Sequence, residues 1–242
     1  MSLLEVRGLA KRFGGLRAVT DLSFGLEEGE ILGLIGPNGA GKTTVFHLLS
    51  GFLPPDAGGV LFRGEPILNL PPHSISRRGM VRTFQLVRPF LRLTVLENVT
   101  VGALHRAASL REARDLAEAV LDRVGLAERR GAEVRTLTLA DRKRLELARA
   151  LAAGPRLLLL DEVMAGLTPV EMERFVALLR ALNAEGVSLL LVEHVMRAVF
   201  ALCRRIVVLN YGEKIAEGPP AAIVRDARVI EAYLGEEGRA GG

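Results

Sequence analysis

The segment EILGLIGPNGAGKTTVFHLLSGF, residues 30–52, constrains the fold of this chain more than any other stretch. A short apolar run leads into a glycine-rich loop, after which the apolar spacing is helical as far as Gly51. The loop, residues 36–43, matches G-x-x-x-x-G-K-[ST] in full and lies between the predicted strand and helix. Glycines let successive N–H groups turn toward phosphate oxygens, and the helix N-terminus adds positive potential. The sequence therefore predicts a phosphate-binding loop.

Within this loop we expect Lys42 to reach the β- and γ-phosphates of a nucleotide and the Thr43 hydroxyl to bind Mg²⁺. A glycine-rich turn with a solvated lysine is the alternative, which the flanking strand and helix disfavour. GTPases, kinases and recombinases all remain open at this point. The residues assigned to nucleotide binding here are Gly36, Pro37, Asn38, Gly39, Ala40, Gly41, Lys42, Thr43 and Thr44.

Polar residues follow two other apolar runs. LLLLDE ends with Asp161 and Glu162, and LLLVEH ends with His194. The carboxyl ends of parallel strands open beside the phosphate loop, so Asp161 is predicted to hold Mg²⁺ through water and Glu162 to face the attacking water. His194 is predicted to contact the γ-phosphate, although a lone histidine is more often structural. Gln85, in RTFQ, is equally ambiguous on its own.

Composition limits the class of protein. A chain of 242 residues can form one large domain or a domain with an inserted lobe, and 49% apolar residues disfavour disorder. The single cysteine, Cys203, permits no internal disulfide and favours a reducing compartment. No basic region followed by an apolar run opens the chain, and no run of about 18 apolar residues occurs, so we expect neither a signal peptide nor a membrane span.

The charged residues do not indicate a nucleic-acid partner. The net charge is +4, with 28 arginines against 4 lysines. The arginines are scattered, with small clusters at 77–78 and 142–144, and an arginine-biased surface explains them better than a binding face does.

The order of elements predicts an α/β fold. Residues 1–30 alternate apolar with polar, as in strands joined by a turn at Gly14 and Gly15. Residues 86–154 are almost entirely helical in pattern, with capping-box spacing at Thr94 and Glu97. Strand signals then return, a hairpin turns at residues 211–212, and AAIVRDARVIEAYLG is predicted as one final helix.

The order of residues 36–43, Gln85, a segment near 138, the Asp161-Glu162 pair and His194 resembles the ATP-binding cassette (ABC) ATPases of ABC transporters over nearly the whole chain. The resemblance implies a P-loop NTPase core, with a RecA-like mixed sheet, an N-terminal antiparallel β region and an inserted α-helical lobe. The implied boundaries are 1–85 and 155–218 for the core, 86–154 for the lobe and 219–242 for a C-terminal helix and tail.

The same resemblance implies roles for individual residues. Glu162 would be the catalytic base, His194 the switch histidine and Gln85 a Mg²⁺-linked residue, with Thr43 and Asp161 completing the metal site. Phe13 would stack on adenine, although a place in the strand core fits it equally well on sequence alone. ATP and Mg²⁺ are the implied ligands.

The signature segment departs from the family pattern. The usual leucine, serine, glycine or tyrosine, glycine and glutamine are replaced by Leu137 and then Thr138, Leu139, Ala140 and Asp141. Thr138 keeps the hydroxyl, and Ala140 keeps its N–H provided that its backbone angles do not require glycine. Asp141 suits a helix N-terminus but repels phosphate unless it is turned away or paired with the following arginines. We expect a working but atypical signature acting on a partner's ATP.

The family implies several partners. These are a second ABC ATPase subunit in a homo- or heterodimer, two integral membrane permease subunits docked on the helical lobe and, indirectly, a periplasmic or extracellular substrate-binding protein. The implied location is peripheral, on the cytoplasmic face of the inner or plasma membrane.

Four stretches look closest to the ATPases of branched-chain amino acid uptake: KRFGGLRAVTDLSF, RTFQLVRPFLRLTVLENV, VEHVMRAV and VIEAYLGEE. Lipopolysaccharide-export and urea-uptake ATPases share part of this sequence pattern. A non-transport cassette ATPase of translation or DNA repair is a further alternative, disfavoured by a single phosphate loop and no sustained heptads. A regulatory subunit without turnover is disfavoured by Glu162, because such a module needs no base.

Overall fold

The protein is described here from a computed structural model that covers residues 2–83 and 90–237. Two β-sheets and a set of helices form an α/β fold. The strands in chain order are β1 Ser2–Phe13, β2 Leu16–Glu27, β3 Ile31–Ile35, β4 Ala57–Phe62, β5 Glu65–Pro66, β6 Met80–Arg82, β7 Leu157–Asp161, β8 Ser188–Val192, β9 Arg205–Asn210 and β10 Glu213–Gly218. The helices are α1 Lys42–Leu49, α2 Pro72–Arg77, α3 Val95–Ala103, α4 Leu110–Val124, α5 Leu139–Ala152, α6 Pro169–Ala184, α7 Met196–Leu202, α8 Pro220–Ile223 and α9 Ala227–Glu237.

The first sheet is antiparallel, with strand order β2-β1-β4-β5. The predicted turn between β1 and β2 is confirmed, and Gly14 has φ 57° there. This sheet lies over one face of the second sheet, and its apolar side chains share a core with α1.

The second sheet carries the residues singled out by the sequence. Its order is β10-β9-β3-β8-β7-β6, with β10 antiparallel and the other neighbours parallel. Successive leucines of β7 enter different cores, Leu157 and Leu159 on one face and Leu158 and Leu160 on the other. Burial on both faces is the reason that these strands are continuously apolar. The carboxyl ends of β3, β7 and β8 meet at one edge, where the predicted site lies.

Three helices between β6 and β7 pack against one another: α3, α4 and α5. Two 3₁₀ turns, Ala127–Arg129 and Val134–Thr136, join α4 to α5. The predicted capping box at Thr94 is present, because its hydroxyl accepts the Glu97 N–H and the Glu97 carboxylate accepts the Thr94 N–H. This cap sets the start of α3.

The prediction of one final helix was wrong. The chain forms α8 and α9 instead, separated at Val224–Asp226. Asp226 Oδ1 accepts the Arg228 N–H at 2.9 Å, and its carboxylate also pairs with the Arg228 guanidinium at 2.8 Å. A short acidic side chain that bonds the following backbone begins a new helix rather than continuing the old one. Among the described residues, no helix is long and apolar enough to cross a bilayer.

Candidate functional site

A groove of about 390 Å³ opens at the carboxyl edge of the second sheet. The phosphate loop forms its floor, the β1–β2 turn forms one wall, and Glu162, His194 and Tyr211 come from three other connections. The described residues that line it are Phe13, Leu16, Arg17, Ala18, Asn38, Gly39, Ala40, Gly41, Lys42, Thr43, Thr44, Glu162, His194 and Tyr211. The structure therefore brings together most residues of the predicted site.

The loop requires glycine where it passes close to neighbouring backbone. Gly36 has φ 154°, and a Cβ there would lie 2.1 Å from the Leu209 carbonyl oxygen. Gly41 has φ 102°, and a Cβ there would lie 2.4 Å from the Ala18 carbonyl oxygen. Neither position can hold a side chain without moving backbone, so the glycines fix the loop tightly against β2 and β9.

Lys42 begins α1, and its side chain is buried within the loop. Its Nζ donates to the carbonyl oxygens of Gly36 and Pro37, at 2.7 Å each. A desolvated ammonium needs such acceptors. The lysine charge is thereby fixed inside the curve of the loop, where phosphate oxygens would also be attracted to it.

Glu162 and His194 are in direct contact, with His194 Nε2 2.5 Å from Glu162 Oε1. The glutamate side chain is 16% exposed and the histidine side chain 45% exposed. Glu162 follows β7 with φ 50°, a left-handed conformation that is uncommon for a non-glycine residue. Its N–H donates to the Val192 carbonyl at 2.8 Å. The two residues face the phosphate loop as a pair.

Asp161 has a contact that the sequence did not predict. Its Oδ2 lies 2.8 Å from Arg82 Nη2, and the two side chains are 2% and 5% exposed. Thr43 is exposed in the groove. The third residue assigned to the metal, Gln85, lies outside the described residues.

The donor set fits Mg²⁺, because a hydroxyl and a carboxylate are hard oxygen ligands. The described part of the chain contains no cluster of three or more His, Cys, Asp or Glu that could hold a metal. Mg²⁺ does not need one, since it keeps several waters and binds substrate phosphates with one or two carboxylates. Thr43 lies in the groove, whereas Asp161 lies just outside its lining and is paired with Arg82. These two are the described residues that would hold the ion beside a bound nucleotide.

Two buried charged residues near Glu162 were missed by sequence reasoning. Lys143, on α5, is 6% exposed and donates to the Glu162 carbonyl at 3.2 Å. Glu193 is 2% exposed and accepts the Met164 N–H at 2.9 Å. Burial raises the pKa of Glu193 to about 7, helped by the nearby Glu162 and opposed by Lys143 and hydrogen bonds. The local sequence gives no signal for these contacts, which depend on the packing of α5 against β7 and β8.

The signature segment caps α5. Thr138 is the N-cap, and its hydroxyl accepts the Asp141 N–H at 3.2 Å. Ala140 lies in the first helical turn, so its backbone angles do not require glycine. Asp141 pairs with Arg144, with a 3.5 Å separation, which is one of the arrangements the sequence required of it. Of the described residues, 138–141 do not line the groove.

Comparison with known proteins agrees with this geometry. The family model described as ABC transporter matches residues 19–165, and the model described as branched-chain amino acid ATP-binding cassette transporter matches residues 213–239. The chain is 43% identical to the high-affinity branched-chain amino acid transport ATP-binding protein BraF of Pseudomonas aeruginosa, over 97% of this chain and 98% of BraF. It is 36% identical to the lipopolysaccharide export system ATP-binding protein LptB of Escherichia coli, over 99% of this chain and 100% of LptB.

Solved cassettes have the same fold. One is the ADP conformation of an ATP-binding cassette of an ABC transporter, with TM-score 0.89 and 29% identity over 97% of this chain and 99% of that one. Another is a dimeric bacterial ABC transporter cassette, with TM-score 0.80 and 25% identity over 90% of this chain and 98% of that one. The family model, the full-length relatives and the fold agree with one another, and the chain belongs to the ABC transporter family as an ATP-binding cassette ATPase.

Proposed function

We propose that this chain is the ATP-hydrolysing subunit of an importer for branched-chain or related amino acids. The observation that carries the substrate class is the 43% identity to BraF over nearly the full length, together with the family-specific match at residues 213–239. The lower identity to LptB, 36%, makes lipopolysaccharide export the second candidate. Urea uptake and a non-transport role remain outcomes of the test below.

In this proposal the groove binds ATP. Phe13, 46% exposed at the rim, stacks on adenine. The phosphates bind to the loop of residues 36–44, of which 38–44 line the groove. Thr43, Asp161 and Gln85 hold Mg²⁺, which when bound supplies neutralisation of phosphate charge. The assignments of Phe13 and Thr43 are supported by their place in the groove lining. Asp161 does not line the groove but directly precedes Glu162, which does, and Gln85 is assigned from the resemblance alone.

Glu162 acts as the general base. It accepts a proton from the attacking water as that oxygen bonds to the γ-phosphorus, while the bond to the leaving ADP breaks. His194, 2.5 Å from the carboxylate, orients it and contacts the γ-phosphate. The side chain of Glu162 is only 16% exposed, which limits competing solvent around the base.

The working unit is a dimer in which residues Thr138–Asp141 of one chain meet the ATP of the other. The start of α5 supports this, because its N-terminal N–H groups carry positive potential and the segment does not line its own chain's groove. ATP bound from both sides stabilises the closed dimer, and hydrolysis removes that stabilisation.

Permease subunits dock on the helical lobe, which we take as residues 86–154 between core segments 1–85 and 155–218, with 219–242 as C-terminal helix and tail. A groove of about 580 Å³ runs between α3 and α4 and exposes Val101, Leu104 and Leu110 beside Arg114 and Glu118. An apolar strip with charged borders suits a short helix of a membrane subunit. The location is then peripheral, on the cytoplasmic face of the membrane, with a substrate-binding protein on the opposite side.

Co-purification from the native membrane tests the proposal. We expect the chain to be recovered with two hydrophobic subunits, and the reconstituted complex to take up leucine, isoleucine or valine only with ATP and an added substrate-binding protein. The amino-acid assignment would be rejected by any of three results. These are ATP-dependent uptake of urea but of no amino acid, release of lipopolysaccharide from the membrane, or recovery of the chain with ribosomes or DNA.

A further inference from the structure

The backbone of Glu162 lies in an uncommon conformation that contacts with neighbouring residues must stabilise. Its φ of 50° is left-handed, a conformation that is uncommon for a non-glycine residue. The N–H is held by the Val192 carbonyl at 2.8 Å. The carbonyl oxygen of Glu162 accepts the N–H of Ala165 at 3.3 Å, in the turn that follows β7. Side chains from α5 and from the end of β8 add further contacts to this turn.

Lys143 is a second donor to the Glu162 carbonyl oxygen, beside the Ala165 N–H. It lies on α5, is 6% exposed, and its Nζ donates to the Glu162 carbonyl oxygen at 3.2 Å. A buried ammonium is tolerated only where acceptors replace its water. Lys143 belongs to the same helix as Thr138–Asp141, so one rigid element connects the start of α5 with the backbone of Glu162.

Glu193 holds the loop after Glu162. It is 2% exposed, and Oε1 accepts the N–H of Met164 at 2.9 Å. Glu193 directly precedes His194, which itself contacts the Glu162 carboxylate. Glu193 and His194 directly follow β8 and both constrain Glu162. Glu193 binds the backbone of the loop after Glu162, and His194 contacts the Glu162 side chain.

We propose that Lys143 and Glu193 are positioning residues for Glu162, and that Lys143 makes the orientation of this glutamate depend on the position of helix α5. The inference rests on the proposed role of Glu162 as general base. The start of α5 is proposed to meet the partner's ATP when the dimer closes. A change in the position of α5 on closure then reaches the general base of the same chain through Lys143. Neither residue lines the nucleotide groove, so both act on the rate of hydrolysis and leave ATP binding unchanged.

The test compares Lys143→Met, Lys143→Arg, Glu193→Leu and Glu193→Gln in the full chain. We expect Lys143→Met and Glu193→Leu to lower kcat by about tenfold to a hundredfold, as for displacement of a catalytic group by about 1 Å, with the Kd for ATP unchanged. Lys143→Arg and Glu193→Gln keep a donor and an acceptor, fold more readily, and should recover most of kcat. Lys214→Met, on β10, and Glu173→Gln, on α6, are matched controls expected to leave kcat and Kd unchanged.

A double-mutant cycle separates positioning from a general structural effect. If Lys143 acts through Glu162, adding Lys143→Met to Glu162→Gln does not lower the residual rate further. Additive losses, or a Kd for ATP that rises in parallel with the loss of kcat, would overturn the inference. An unchanged kcat in Lys143→Met and Glu193→Leu, beside a large loss in Glu162→Gln, would overturn it while leaving the proposed function intact. An unchanged kcat in Glu162→Gln would instead reject the base assignment itself.

Discussion

The guanidinium of Arg82 and the carboxylate of Asp161 form an almost completely buried ion pair, 2.8 Å apart. Arg82 ends β6, and it also lies 3.3 Å from the Ser50 hydroxyl and 5.5 Å from the centroid of the Phe46 ring. It therefore connects α1, which follows the phosphate loop, to the strand that carries Asp161.

Removal of one charge from this pair should destabilise the protein strongly. Arg82→Met leaves Asp161 buried without its cation, and the expected loss of unfolding free energy is about 3–5 kcal/mol. Urea denaturation measures it. Arg197→Met is the matched control, because the Arg197–Glu173 pair has side chains 75% and 65% exposed and should contribute about 0–1 kcal/mol. Equal losses in the two variants would show that the buried pair carries no special stabilisation.

Glu162→Gln should bind ATP and fail to hydrolyse it. The amide keeps the shape of the side chain and cannot accept the proton, so steady-state hydrolysis should fall by about 10²–10⁴-fold. The variant should accumulate as an ATP-bound dimer in size-exclusion chromatography, whereas Glu173→Gln should stay wild type in both assays. Turnover at the wild-type rate would remove Glu162 as the base.

Phe13→Ala should weaken nucleotide binding without altering the loop. The ring is 46% exposed at the groove, with Lys11 Nζ 5.8 Å from its centroid, and a stacked base is worth about 1–3 kcal/mol. Calorimetric titration with ATP measures the change. Phe52→Ala is a control of similar exposure, 48%, and Phe52 does not line the groove. An unchanged affinity for ATP in Phe13→Ala would contradict stacking on Phe13. Tyr211, the other aromatic side chain described in the groove lining, would then be the residue to test.

Much of the site was predictable because its signals are local. The phosphate loop needs glycine at Gly36 and Gly41 for reasons of backbone space, and the motif records that need directly. Polar residues after apolar strands, such as Glu162 and His194, meet because parallel strands share an edge. The sequence therefore predicted the fold class and placed Phe13, the phosphate loop, Glu162 and His194 in one site, but it did not assign Leu16, Arg17, Ala18 or Tyr211 to the groove.

Other contacts were not predictable because they join distant parts of the chain. Arg82 and Asp161 are brought together only by the pairing of β6 with β7. Lys143 lies in the basic cluster 142–144, for which the sequence predicts a place on the surface, yet packing of α5 buries it against Glu162. The break at Asp226 shows the reverse case, in which apolar spacing predicted a continuous helix and a local side-chain bond ended it.

The buried Glu193 should make stability depend on pH. Its pKa, raised to about 7 by burial, lies above the ordinary 4.5, so the protonated form stabilises the fold. That stabilisation is complete below about pH 4.5 and is lost as pH rises through about 7, a loss of about 3 kcal/mol. The groups facing it are Glu162, which raises the pKa, and Lys143 with the N–H groups of Met164 and His194, which lower it; Cys203 also lies near.

Glu193→Gln removes this titration. Denaturation midpoints measured at about pH 5 and about pH 8 should differ less in the variant than in the wild type. The variant should be more stable than the wild type at the higher pH. Glu173→Gln, at an exposed position, should keep the wild-type difference. A variant with the wild-type pH dependence would assign that dependence to another group.

The unusual signature residue Asp141 is expected to lower the ATPase activity of this cassette. Asp141 is held at the first turn of α5 by its N–H bond to Thr138 and by Arg144, an arrangement that stabilises the helix by about 0.3–1 kcal/mol. In the proposed dimer the same charge would repel the partner's phosphate by a similar amount. Replacing Ala140 with Gly and Asp141 with Gln should therefore raise ATPase activity of the assembled complex by about twofold to fivefold. Asp141→Asn alone keeps the short polar cap and removes the charge, and it should reproduce most of the gain if repulsion is the cause. Lower activity in both variants would show that the native Asp141 contributes to turnover.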